Sequence, residues 1–198
     1  MRNSFLAGSA AVFFLVYPSS RVAAAAPDSG WSLRVWQVNE SLPDNNVTGV
    51  AQTADGYLWV ATHAGLARFD GERFVPWPLP LASDRFNSLV RAMLLDRENN
   101  LWLALEAEAG RLISLSDHAT NIFNSASGVP NTRPLVIAAT PDETQWAGYA
   151  DGSVSRFANG KVKHFGVRDG LAGAGGCWLA TGAENNLWFA KTGGAGVF

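Results

Sequence analysis

The residues able to do chemistry in this chain are few and scattered. Histidines stand at His63, His118 and His164 and the single cysteine is Cys177, so neither a zinc-ligand spacing nor an internal disulfide can be assembled from them. Glu106 and Glu108 form the one close carboxylate pair outside ordinary turns, and a pair of that kind is what glycoside hydrolysis needs. Two residues apart in a strand they would share one face, but nothing nearby distinguishes an acid from a nucleophile, and a solvated loop is the simpler reading. No Gly-x-Ser-x-Gly elbow occurs, and the histidines are too dispersed for a serine triad. The chain is therefore expected to catalyse nothing and to carry no cofactor or metal. What remains is a polar set: Asn45, Asn46, His63, Arg85, Asn87, Glu106, Asn131, Arg133 and Tyr149. Amides, guanidinium groups and an aromatic ring offer bidentate hydrogen bonds and a stacking surface, which suits a hydroxyl-rich or anionic ligand such as an oligosaccharide or another small polar molecule. The same residue types also populate ordinary surface loops.

Whether those residues meet depends on the framework, and the framework is periodic. Trp59, Trp102, Trp146 and Trp188 are separated by 43, 44 and 42 residues. Four residues before each stand Asp55, Glu98, Asp142 and Glu184; nine before stand Val50, Met93, Ile137 and Leu179; seventeen before stand Leu42, Arg85, Val129 and Leu171. In the first unit Val47–Thr53 reads as an inner strand, 54–56 as a turn, and Tyr57–Thr62 and Leu66–Phe69 as further strands. Asp70-Gly71 then signals a hairpin into Arg73–Trp77. Four antiparallel strands in a unit of this length, with a Trp repeated in the second, define a β-propeller blade. A helical solenoid would need apolar residues at 3.6 spacing, which the Gly, Pro and Asn turns interrupt. The expected fold is all-β, an incomplete β-propeller of about four blades, the last ending within its third strand. The four Trp are expected to fill the space between adjacent sheets, and the recurring acids to accept backbone N–H groups at tight turns. Cys177 reads as a small buried thiol. Trp31–Val38 reads as a stray outermost strand that would zip onto the last blade of a closed ring. Strands alternate in direction, so the loop before each inner strand and the loop between strands two and three share one face. That face is where the polar set above belongs.

The residues around the first Trp resemble a known repeat. Leu42-Pro43-Asp44-Asn45-Asn46-Val47, Ala54-Asp55-Gly56-Tyr57-Leu58-Trp59-Val60-Ala61-Thr62 and Gly65-Leu66-Ala67-Arg68-Phe69-Asp70-Gly71 are similar to the two-component regulator propeller repeat. Later units keep parts of it: Asn99-Asn100-Leu101-Trp102, Asp151-Gly152-Ser153-Val154-Ser155-Arg156-Phe157 and Glu184-Asn185-Asn186-Leu187-Trp188. The resemblance spans about residues 31 to 198. It implies an extracytoplasmic sensor whose parent continues into a further β domain, a membrane span and a cytoplasmic histidine kinase or other output. It also implies a homodimeric parent that meets the membrane only through that C-terminal span. A secreted propeller enzyme acting on polysaccharide, or a non-catalytic interaction scaffold, are the alternatives.

Composition agrees with an exported globular chain. Of 198 residues 47% are hydrophobic and 16% charged, and 15 basic against 17 acidic residues leave no basic patch for nucleic acid. Arg2, the apolar run Phe5–Tyr17 and Ala23-Ala24-Ala25-Ala26 read as a signal peptide over residues 1–25, leaving 26–198 as the partial propeller. The run is short of the roughly 20 residues of a spanning helix. A periplasmic or extracellular location on a bacterial membrane follows as the expectation.

Overall fold

The computed structural model describes residues 33–80, 89–106, 111–171 and 175–198. The expected signal peptide at 1–25, together with Arg85, Asn87 and Glu108, lies outside the described residues. The chain divides into a unit Met1–Arg34, of which Leu33 and Arg34 are described and exposed, and a unit Val35–Phe198.

The second unit is built from antiparallel sheets laid out in chain order. The first contains β1 (Val47–Gln52), β2 (Leu58–Thr62), β3 (Gly65–Phe69) and β4 (Phe74–Trp77). The second contains β5 (Val90–Leu95), β6 (Leu101–Leu105), β7 (Arg111–Leu115) and β8 (Thr120–Phe123). The third contains β9 (Pro134–Ala139), β10 (Gln145–Tyr149), β11 (Val154–Ala158) and β12 (Lys161–Phe165). The fourth contains β13 (Trp178–Thr181), β14 (Leu187–Lys191) and β15 (Gly194–Val197). These are propeller blades: each meanders from an inner strand outward, and the four sheets do not close on one another. The turns explain why the chain reverses where it does. At β3–β4, Asp70 Oδ1 accepts the N–H groups of Glu72 at 2.9 Å and Arg73 at 2.8 Å, while Gly71 takes φ 104°, a conformation that disfavours other residues.

Strand parity decides which face of a blade meets which neighbour. Trp59, Ala61 and Leu66 of blade 1 pack with Leu101, Leu103 and Ile113 of blade 2; Trp102 packs with Ala147 and Phe157 of blade 3; Trp146 packs with Cys177 and Leu187 of blade 4. Each Trp thus faces the following blade, and the inner-strand residue nine positions before the next Trp closes over it: Met93, Ile137 and Leu179 join the same three clusters. Trp59, Trp102 and Trp146 are accordingly 7 to 9% exposed. Trp188 differs from the expected core position. It is 52% exposed, because the described residues place no sheet against the outward face of β13–β15.

Single-turn 3-10 helices at Val38–Glu40, Ser125–Ser127 and Val167–Asp169 precede three of the inner strands. In each a left-handed residue follows, Ser41, Gly128 or Gly170, and turns the next residue inward. That residue is Leu42, Val129 or Leu171, all buried, which explains the apolar positions seventeen before the Trp. The structure corrects the reading of Trp31–Val38 as a strand over 33–38, Trp31 and Ser32 lying outside the described residues. Residues 33–37 pair with no sheet, Val38 opens the first 3-10 turn, and Trp36 folds edge-on against Phe69 and Phe74 at 5.3 and 6.1 Å between ring centres. A strand exists only beside a partner edge, and among the described residues no strand pairs with 35–37.

Candidate functional site

The polar residues around Trp59, Trp102 and Trp146 prove to be scaffold. Of the four recurring acids, however, only Asp55 and Asp142 accept a backbone N–H, Glu98 accepting the Asn100 side-chain amide at 3.3 Å and Glu184 no hydrogen bond among the described residues. The indole N–H of Trp59 donates to Thr53 Oγ1 at 3.1 Å, and that hydroxyl donates to Asp55 Oδ1 at 2.5 Å. Blade 3 repeats the relay: Trp146 donates to Thr140 Oγ1 at 3.3 Å, and Thr140 to Asp142 Oδ1 at 2.6 Å. Asp55 and Asp142 also accept the backbone N–H groups of Tyr57 and Thr144 at 3.3 and 3.2 Å. Both carboxyls are held below the usual carboxylate range, the threonine hydroxyl being the main cause in each. Blade 2 reaches the same end differently, with Trp102 donating directly to Asp96 Oδ2 at 2.8 Å. In blade 4 the position six before the Trp is Gly182, which has no side-chain acceptor to offer. The hydroxyl or carboxylate six residues before the Trp escaped the sequence reading, although Thr53, Asp96 and Thr140 are visible there as one column.

The expected face is real in its topology. His63 N–H donates to Asn46 O at 3.1 Å, Glu106 N–H to Leu89 O at 2.9 Å and Ala150 N–H to Arg133 O at 2.9 Å. In blades 1 to 3 the loop before the inner strand therefore touches the loop between strands two and three of the same blade. On blade 1, Asn45 Oδ1 accepts the Val38 N–H at 3.0 Å, and Asn46 gives its backbone and side-chain N–H groups to Asp44 Oδ1 at 2.6 and 2.8 Å. These bonds hold the Asp44 carboxyl below its usual range, with a smaller contribution from His63. Both asparagines thus spend part of their hydrogen-bonding capacity on their own turn. Asn131 and His63 are exposed.

Between blades 2 and 3 the same face carries an ion cluster. Glu106 bonds Arg91 through one carboxylate oxygen and accepts Arg133 Nη1 through the other at 2.9 Å. The two guanidinium groups, Arg91 first, hold the Glu106 carboxyl below its usual range. With two cations to one anion the cluster is left positive, and the Arg133 side chain is more than half exposed. Arg91 was not found from sequence because it sits at a β-bulge: the β5–β6 register shifts between Val90 and Ala92, and a bulge re-aims its side chain. The β1–β2 ladder shifts in the same place, between Val47 and Gly49.

Tyr149 is not available to a ligand. It ends β10 opposite Pro134 across a third register shift, which turns its ring into the core between blades 2 and 3. It is fully buried, edge-on to His164, and burial pushes its phenol far above the ordinary value. Among the described residues its hydroxyl finds no hydrogen-bond partner of ordinary geometry. Cys177 is also buried, which raises its thiol. Arg97, on the opposite face, bridges blades by donating to Pro141 O at 2.8 Å. Among the described residues no cluster of three His, Cys, Asp or Glu could hold a metal ion, and no helix is long and apolar enough to cross a membrane.

Comparison with known proteins fits this architecture. The two component regulator propeller family model matches residues 41–64, the stretch that runs from the first left-handed cap through β2. No curated protein matches the sequence. The fold is similar to the crystal structure described as the extracellular domain of the hybrid two component system BT3049 from B. thetaiotaomicron, with TM-score 0.69, 16% identity, and coverage of 84% of this chain and 23% of that one. It is likewise similar to the extracellular domain of BT4673 from B. thetaiotaomicron, with TM-score 0.65, 21% identity, and coverage of 82% and 22%. A catalytically inactive virginiamycin B lyase from Staphylococcus aureus, in complex with quinupristin, shares the fold at TM-score 0.58 and 15% identity, covering 79% of this chain and 56% of that one. At these identities the likeness is one of fold. The chain spans less than a quarter of the first two structures.

Proposed function

We propose that this propeller is the extracytoplasmic ligand-sensing segment of a signal-transduction receptor of the two-component type, with a histidine kinase as the output of its parent, and that the chain itself catalyses nothing. The observation that carries this reading is the regulator propeller match over residues 41–64 on a blade architecture shared with extracellular domains of hybrid two component systems. The positive cluster of Arg91, Glu106 and Arg133 supports it as a place where a ligand can act on the scaffold. Glu106 belongs to blade 2 and Arg133 to blade 3, so a small polar or anionic ligand that competes for Arg133 loosens an inter-blade tie. A receptor signals only if the ligand has different affinity for two states, and exchange of one inter-blade bond for a ligand bond supplies that difference. In a homodimeric parent the bias would pass across a C-terminal membrane span.

The experiment is to read the coding sequence beyond the codon for Phe198 and then to assay the encoded receptor with an output reporter. A membrane span followed by a kinase, with a ligand response weakened by Arg133→Ala, is the expected result. A frame that stops after further blades with no span overturns the receptor reading and returns the secreted enzyme.

A further inference from the structure

Blade 1 holds an arginine that the fold positions and does not otherwise use. Arg68 on β3 lies opposite Trp59 on β2 and Val75 on β4, so its side chain projects toward blade 2. Its guanidinium carbon stands 3.9 Å from the centre of the Tyr57 ring, 5.1 Å from Trp77 and 5.8 Å from Trp59. Three rings therefore fix it in place through cation–π contact. Among the described residues it makes no hydrogen bond and no ion pair, although its charge is felt by Asp55. The residue is half-buried, yet none of its nitrogen atoms is both buried and unpartnered, so the guanidinium donors stay open toward the cleft and solvent.

Arg68 lines a cleft of about 270 Å³ between blades 1 and 2, on the face opposite Glu106 and Arg133. Trp77 forms a wall, and Trp59, Leu101 and Leu115 form the apolar floor. Asn99 spends its Oδ1 on the Ala54 N–H at 2.7 Å, which leaves its NH2 to donate. Asp55 commits only Oδ1, and Asp117, across the cleft, makes no hydrogen bond or ion pair among the described residues. One guanidinium against two carboxylates leaves the cleft slightly negative, so an anion is disfavoured. A cation is disfavoured as well, since Arg68 already places a positive charge among the rings. A neutral ligand that both donates and accepts, and has a flat apolar side for Trp77, is what the remaining groups match, and a hydroxyl-rich ring has those properties. The volume lies just under the roughly 300 Å³ at which drug-sized ligand pockets begin, enough for one or two rings.

We propose that this inter-blade cleft binds a neutral hydroxyl-rich ring, a hexose or pentose unit, with Trp77 packing on the ring, Arg68 and Asn99 donating to its hydroxyls, and Asp55 and Asp117 accepting from them. The site deepens the ligand-sensing reading, on which it rests, and it lies on the face that sequence reasoning set aside.

The test is saturation-transfer NMR on the full chain with a panel of neutral disaccharides (cellobiose, maltose, lactose and xylobiose), with galacturonic acid as the anionic comparator. At least one neutral disaccharide is expected to bind, about tenfold or more weakly to Arg68→Ala, as expected for loss of a charge-assisted hydrogen bond. Trp77→Ala should weaken it too, Trp77→Phe should keep most of it, and Lys161→Ala, an exposed change on β12 away from the cleft and from the Glu106 cluster, should leave it unchanged. If Arg68→Ala does not fold, the Trp77 pair on the outermost strand decides. Failure of every neutral disaccharide to bind the unaltered chain, tighter binding of galacturonic acid that Arg68→Ala abolishes, or binding retained in Trp77→Ala overturns the proposal. Binding lost only in Arg133→Ala also overturns the cleft while leaving the sensing reading intact, since that reading is judged separately by the coding sequence and the reporter.

Discussion

Asp96 offers the sharpest test of how the blades are tied. It is 8% exposed, and its carboxylate accepts the Asn100 backbone N–H at 2.8 Å, the Asn100 amide at 3.0 Å and the Trp102 indole at 2.8 Å, with Gln145 of blade 3 at 3.4 Å. Asp96→Ala strands a buried indole donor and a turn N–H together. A hydrogen bond to a charged group is worth about 1.5 to 3 kcal/mol, and bonds sharing one acceptor do not add fully, so the expected loss is about 3 to 5 kcal/mol. For a chain of this size that corresponds to a drop of about 10 °C in Tm. Asp96→Thr should cost distinctly less, because Thr53 and Thr140 serve the same indole in blades 1 and 3. Thr at 96 would still lack the Asp two residues on that polarises its counterparts, Glu98 standing there instead, so recovery should be partial. Urea unfolding of the full chain followed by tryptophan fluorescence measures all three proteins. A loss below about 0.5 kcal/mol for Asp96→Ala, within the range of an ordinary surface change, would refute the reasoning. So would an Asp96→Thr variant no better than Asp96→Ala.

Trp59→Ala and Trp102→Ala should each cost about 3 to 5 kcal/mol, since both fill closed inter-blade slots, whereas Trp188→Ala should cost far less because that ring is already half in solvent; denaturation midpoints of the three decide. The Glu106 carboxyl is depressed in the folded state, so its tie to Arg91 and Arg133 is fully present above its ordinary value of 4.5 and is lost as pH falls through the lower folded value. The stability gap between the unaltered chain and Glu106→Gln should therefore shrink below pH 4.5, by about 1 kcal/mol or less given the partial exposure of the pair. The outward face of β13–β15 presents Trp178, Trp188 and Val197, each at least half exposed, so the isolated chain should self-associate. Trp178→Lys should reduce the sedimenting aggregate, and no change would argue against that face as its origin.

Much of the architecture was legible because a propeller repeats its packing. Trp59, Trp102 and Trp146 meet the same slot in the next blade, so period alone disclosed the blades, the strand order and the shared loop face. The functional face was less legible, and the reason is local. A β-bulge reverses strand parity, and at Val90/Ala92 and Gly148/Tyr149 that reversal sent Arg91 to the ion cluster and Tyr149 into the core. No composition or spacing rule announces such a shift. The exposure of the last Trp was equally beyond the pattern, since Trp188 has the right sequence neighbours and, among the described residues, lacks only a sheet to lie against.

The position opposite the indole shows how chemistry can differ on a frame that does not. Trp59 pairs with Arg68, Trp102 with Ser114 and Trp146 with Arg156. In blade 2 the ring stacks on Phe123 at 5.3 Å and meets Phe157 of blade 3 at 5.5 Å, so the space is filled and only a small hydroxyl fits beside it. In blade 3 Arg156 lies near the Trp146 ring, and its charge is felt by Asp142 and helps to hold that carboxyl down. In blade 1 the neighbouring surface of blade 2 offers Ser116, Asp117 and Thr120 in place of large aromatics, and the space beside Arg68 stays open. The same strand, turn and indole therefore give a packed joint in one blade and a polar cleft in another, and the difference is made by the residues of the following blade. Adding bulk at Thr120, as in Thr120→Phe, should close the cleft toward the blade 2 condition and abolish any disaccharide signal while leaving the unfolding midpoint unchanged or raised. A loss of stability instead would mean that the open space beside Arg68 is required by the packing of blade 1 itself.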